Sequence, residues 1–103
     1  DLVSAKVPTK VNFEVELSYK LPKEMETLAG IKRAEVDIAV QEFIDEIRNK
    51  LGKDIDPDDL KGKLLNLGLK RVVIISPVLT VLEETKVGVG TVKNVVYAGV
   101  LDD

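Results

Sequence analysis

The chain has 103 residues, 45% of them hydrophobic and 32% charged, with a formal net charge of −3. That is the size and make-up of one soluble globular domain. It holds no Cys and no His, which excludes thiol chemistry, imidazole acid–base catalysis and the commonest zinc sites; the acidic balance offers no footprint for nucleic acid. No apolar run approaches the roughly 18 residues of a membrane-spanning helix, and no signal-like segment opens the chain.

The sequence starts on Asp1 rather than Met. Residues 1–10 read as an arm arriving from an upstream region and residues 11–103 as a single domain. From Val11 to Tyr19 the pattern alternates: Val11, Phe13, Val15, Leu17 and Tyr19 on one side, Asn12, Glu14, Glu16 and Ser18 on the other. Period two with one apolar face predicts a strand between core and water. From Thr27 to Leu51 the period lengthens. Ile31, Ala34, Ile38, Phe43 (or Val40), Ile47 and Leu51 form a stripe that Val36, Ala39 and Ile44 widen, which predicts an amphipathic helix with Thr27 as N-cap and Gly52 just past its end. Asp56-Pro57-Asp58-Asp59 announces a second, short helix. Asp56 can cap, Pro57 suits the first helical position and the acids suit the dipole; Leu60, Leu64, Leu65 and Leu67 supply its apolar stripe, and Gly68 stops it.

Val72 to Ile75 is apolar at four successive positions, which predicts a strand covered on both faces, one by helices and the other by a second subunit or domain. Pro77 ends it. A last strand runs from about Val92 to Val100, with either Val92, Val96 and Ala98 or Val95 and Tyr97 inward. Residues 78–90 read as a partly ordered connection with a short strand near Val87 to Val89. The resulting fold class is α+β: a two-layer sandwich of a small, mostly antiparallel sheet with two helices on one face, in the order β-α-α-β-β. The final linker fits an antiparallel pair.

Chemistry is thin along this chain. Asp54, Asp56, Asp58 and Asp59 suggest a calcium loop, but that pattern needs Gly at its sixth position and Glu at its twelfth; here those are Asp59 and Leu65, and helix capping explains the acids. Gly88-Val89-Gly90 lacks the third glycine and the following helix of a dinucleotide fingerprint, so the glycines read as a bulge or turn. Ser76 has no His to activate it and sits in no elbow motif. Glu14 and Glu16 read as the wet face of a strand. Phe13, Tyr19, Phe43 and Tyr97, the only aromatics, occupy core-compatible positions and leave no stacking platform. No catalytic residue, metal ligand or cofactor site is assigned.

What remains is surplus apolar surface: Leu2, Val3 and Val7 in the arm, and Val78, Leu79, Val81, Leu82, Val87 and Val89 after the Ser-Pro. Exposed, such residues mark a partner contact; folded back over the sheet, they are simply core. Both readings stand at this stage.

Four segments resemble the C-terminal region of baseplate J-like proteins, structural components of contractile phage tails and related injection machines. Asp1-Leu2-Val3-Ser4-Ala5-Lys6-Val7-Pro8 is similar to the family's D-x-V-x-V-x-x-P entry into an alternating strand. Leu51-Gly52-Lys53-Asp54-Ile55-Asp56-Pro57-Asp58-Asp59-Leu60 resembles its L-G-x-D-I-x-x-S-x-L link between helices. Val72-Val73-Ile74-Ile75-Ser76-Pro77 looks like its strand end at S-P, and Tyr97-Ala98-Gly99 like its closing Y-x-G. The resemblance implies a non-enzymatic wedge component, the C-terminal domain of a longer protein. Its partners would be other wedge subunits and copies of itself, and its location a virion tail baseplate assembled in the bacterial cytoplasm. It implies no active site. A second expectation, from fold analogy alone, is a regulatory domain that binds a small molecule.

Overall fold

A computed structural model of the protein describes residues 8–101. The elements are β1 (Thr9–Pro22), a 3₁₀ helix (Lys23–Leu28), α1 (Ala29–Arg48), α2 (Pro57–Asn66), β2 (Lys70–Ser76) and β3 (Lys86–Leu101). The architecture is α+β, a three-stranded sheet with two helices on one face. Its strand order is β2-β1-β3. β1 pairs antiparallel with β2 and parallel with β3, so the sheet is mixed. The last two strands run in opposite directions, but β1 lies between them and they do not form the hairpin that their linker suggests.

β1 is central because its sequence suits the centre. Phe13, Val15, Leu17, Tyr19 and Leu21 are all buried against the helical layer, while Asn12, Glu14, Glu16, Ser18 and Lys20 line the opposite face. β1 takes in Thr9 and Lys10, two residues of the expected arm; residues 1–7, with Leu2, Val3 and Val7, lie outside the described residues.

The neighbours of β1 are both bulged. Val15 lies opposite Val92 but Glu16 opposite Asn94, which leaves Lys93 as an extra residue. Tyr19 lies opposite Tyr97 but Leu21 opposite Val100, and Gly99 marks that second bulge with φ of 101°. On β2, Ile75 is extra between Leu17–Ile74 and Glu16–Ser76, and Arg71, at φ of 52°, marks another before Lys20–Lys70. Each bulge shifts the inward phase by one residue and tightens the local twist. This resolves the two candidate faces of the last strand: Val95 and Tyr97 face inward with Leu17 and Tyr19, and Val96 turns out with Ser18. β3 also starts earlier than expected, at Lys86, and absorbs the short strand read near Val87 to Val89.

α1 buries only part of the stripe its spacing predicts. Val36, Ala39, Val40, Phe43, Ile44 and Ile47 are buried, a set spaced three and four residues apart, as one helix face requires. Ile31 and Ile38 are more than half exposed, and Leu51 lies beyond the helix and is exposed too. Thr27 does not cap α1; it belongs to the 3₁₀ helix, and Leu28 occupies the cap position without a side-chain bond. Asp56 does cap α2, its Oδ1 accepting from the Asp58 N–H at 2.9 Å, with Pro57 at the first helical position. Leu60 and Leu64 enter the core while Leu65 is exposed. Lys32 of α1 donates to the Leu67 carbonyl at 3.0 Å, placing a cation at the negative end of α2 and tying the two helices together.

Gly88 and Gly90 are neither bulge nor turn. They lie in the regular first half of β3, opposite Val11 and Phe13. A Cβ at Gly88 would sit 2.4 Å from Ile47 Cγ2, and one at Gly90 would sit 2.4 Å from Phe13 Cζ and 3.0 Å from Ile44 Cγ1. The missing side chains are the space into which the Phe13 ring and α1 settle. Phe43 meets Phe13 edge-on there, ring centroids 6.1 Å apart.

Candidate interaction surface

The segment between β2 and β3 is held at three points to the link between the helices. Ile55 and Thr80 exchange both backbone bonds at 2.9 Å. Asp54 Oδ1 accepts from the Leu82 N–H at 3.0 Å, and the Gly52 N–H donates to the Lys86 carbonyl at 2.8 Å. Gly52 takes φ of 69° at that contact, a conformation in which a side chain is strained. The segments that resemble the baseplate family therefore have local structural work. Gly52, Asp54 and Ile55 hold the connection, Asp56 and Leu60 start and anchor α2, and Ser76 Oγ donates to the Glu14 carbonyl at 2.8 Å just before a cis Ser76–Pro77 bond.

Those three holds fix which side chains point out. Leu82 is 6% exposed and belongs to the core, whereas Val78, Leu79 and Val81 are 71%, 61% and 75% exposed. Of the residues expected at a contact, Leu82 is thus withdrawn from the surface, and Val87 and Val89 are half-buried at the start of β3. The linker does fold back on the domain, but through its backbone, Leu82 and the buried Pro77, leaving its other apolar side chains in water. β2 adds to them. Val72 is buried, yet Val73 and Ile75 are more than half exposed, so the strand expected to be covered on both faces is covered by this chain on one. The reason lies in its position: β2 is an edge strand, and both helices pack on the other face. Val73 and Ile75 on β2, and Val78, Leu79 and Val81 in the segment that follows it, are large apolar side chains left exposed.

A groove of about 590 Å³ lies beside this segment, lined by Asn12, Glu14, Ser76, Val78, Thr80 and Thr91 among others. Glu14 and Glu16 lie on the open sheet face, as their alternation predicts, and Glu16 lies 3.9 Å from Lys93. Among the described residues, no group of three or more Asp or Glu is placed to hold a metal.

At the far end of the sheet, Tyr19 and Tyr97 pack with centroids 5.7 Å apart and the Arg33 guanidinium 5.8 Å over the Tyr97 ring, a cation–π stack on the sheet's inner face. Burial pushes the Tyr19 phenol above its ordinary 10.0; the Arg33 charge opposes the shift, and Asp37 and Tyr97 add to it. A phenol that holds its proton more tightly when folded contributes stability below pH 10, and this contribution is lost as pH rises from 10 through the folded value. Tyr19→Phe should therefore flatten the alkaline fall in stability above pH 10 relative to the parent. Urea unfolding of both proteins between pH 8 and pH 11 measures it, and parallel curves would contradict the assignment.

Compared with known proteins, the chain matches no family model and no curated sequence. The surface itself is what bears on function.

Proposed function

We propose that this domain is a protein–protein assembly module in the baseplate of a contractile tail, from a phage or a phage-like injection machine. The observation that carries the assembly reading is the run of Val78, Leu79 and Val81, held by backbone bonds and exposed, as are Val73 and Ile75 of β2. Five large apolar side chains kept in water by a hydrogen-bonded backbone are a loss in an isolated domain and a gain in a permanent complex. The baseplate reading rests on the sequence resemblance at the helix link, the strand end and the closing Y-x-G. The working partners are other wedge subunits and copies of the chain.

The test is composition. Contractile tails purified from the producing cells should contain this chain in the baseplate fraction by mass spectrometry, in a fixed ratio to the other baseplate subunits. Its absence from intact, sheathed tails would overturn the reading.

The groove beside Glu14 favours one other reading, a regulatory domain binding a polar metabolite among Asn12, Glu14, Ser76, Thr80 and Thr91. Binding to the native state must raise Tm. A thermal-shift screen with amino acids and nucleotides discriminates: a saturable rise that Glu14→Gln abolishes would replace the assembly reading.

A further inference from the structure

The open sheet face is electrically polarised along the strands. At one end Lys20 of β1 lies opposite Lys70 of β2, with Arg71 next along. Toward the other end Glu16 lies opposite Ser76, and Glu14 follows on the same face. Between the two ends, on β2, stand Val73 and Ile75. Lys93 reaches Glu16 from the β3 side at 3.9 Å, and Lys10 lies beyond Glu14, so the acids are most open toward β2. β2 is a sheet edge with no further strand beside it among the described residues. The bases stand on the edge strand itself, the acids one strand in on β1, so across β1 and β2 a basic end, an apolar middle and an acidic end form a pattern complementary to itself when reversed, as a two-fold interface requires.

We propose that a second copy of this chain packs antiparallel against the β2 side. Lys70 and Arg71 of each copy then face toward Glu14 and Glu16 of the other, and the exposed Val73 side chains of both copies meet at the centre. With the axis near Val73, Lys70 falls opposite Ser76 of the second copy, and Glu16 lies one strand further, about 10 Å away between backbones. The two long side chains span that gap. The bulges at Arg71 and Ile75 interrupt the edge, so side chains rather than a long backbone ladder hold the pair. A parallel, in-register arrangement of the two β2 edges would set Lys70 against Lys70 and Arg71 against Arg71. The inference builds on the assembly reading and specifies its self-contact.

Charge reversal tests it on the intact protein. The wild type should show a reversible dimer by sedimentation equilibrium, weakening as salt is raised. The double variants Lys70→Glu/Arg71→Glu and Glu14→Lys/Glu16→Lys should each be monomeric alone, and an equimolar mixture of the two should recover the dimer. Unchanged thermal melts establish that each variant is folded. A wild-type protein that stays monomeric at every concentration overturns the proposal, as does a dimer indifferent to both reversals or a mixture of folded variants that fails to pair. None of these failures touches the composition of purified tails, so the self-contact and the baseplate reading fall separately.

Discussion

Gly90→Ala should lower Tm by roughly 10–20 °C, the consequence of a loss of about 2–3 kcal/mol from an overfilled core. Alanine normally gains over glycine by narrowing the unfolded ensemble. Here the new Cβ meets the Phe13 ring at 2.4 and 2.6 Å and Ile44 at 3.0 Å. The ring cannot retreat, because Phe43 packs against it edge-on. The control is Gly62→Ala in α2, where a Cβ meets nothing within 4 Å. The same substitution there should stabilise by about 0.5–1 kcal/mol, the ordinary helix preference. Thermal or urea unfolding of the two variants decides the matter, and equal effects of the same sign would show that Gly88 and Gly90 are not the floor under α1.

The second large effect separates two adjacent residues. Leu82→Asp puts an unpaired carboxylate into the core and should unfold the domain, with a loss of about 4 kcal/mol or more. Val81→Asp changes a side chain that is 75% exposed and should shift stability by no more than about 0.5 kcal/mol, as should Leu79→Asp. If the proposed assembly contact is right, both surface variants should nevertheless abolish incorporation into the particle. Circular dichroism reads the first property and co-purification with tails the second. If Val81→Asp unfolds the isolated domain, the run from Val78 to Val81 is core and the contact assignment fails.

Much of the fold is legible in the residues alone. β1 alternates cleanly because it is the one strand with a buried face along its length and no bulge of its own, and Asp56-Pro57 starts α2 as capping chemistry requires. The outward face of β2 was hidden because four apolar residues in a row read the same whether a strand is covered twice or exposed once. The phase of β3 was hidden because the extra residues at Lys93 and around Gly99 break period two, and a bulge is visible only in the pairing with β1. On α1, Ile31 and Ile38 satisfy helical spacing as well as Val36 and Val40 do, and only the sheet beneath decides between the two faces. For the candidate surface, composition showed too many apolar residues between Val78 and Leu82. The hydrogen bonds from Asp54 and Ile55 that turn Leu82 in and Val81 out are long-range and left no mark in the local pattern.

The chain has no cysteine, so Val81→Cys introduces a single thiol within the proposed contact. Its rate of labelling by a maleimide in the free domain, compared with the rate in the assembled particle, tests the central claim most directly. The account predicts fast labelling of the dilute, isolated protein and strong protection after assembly. Equal rates in the two states would mean that this surface faces water in both, and that the apolar run between β2 and β3 is not where the domain meets its partners.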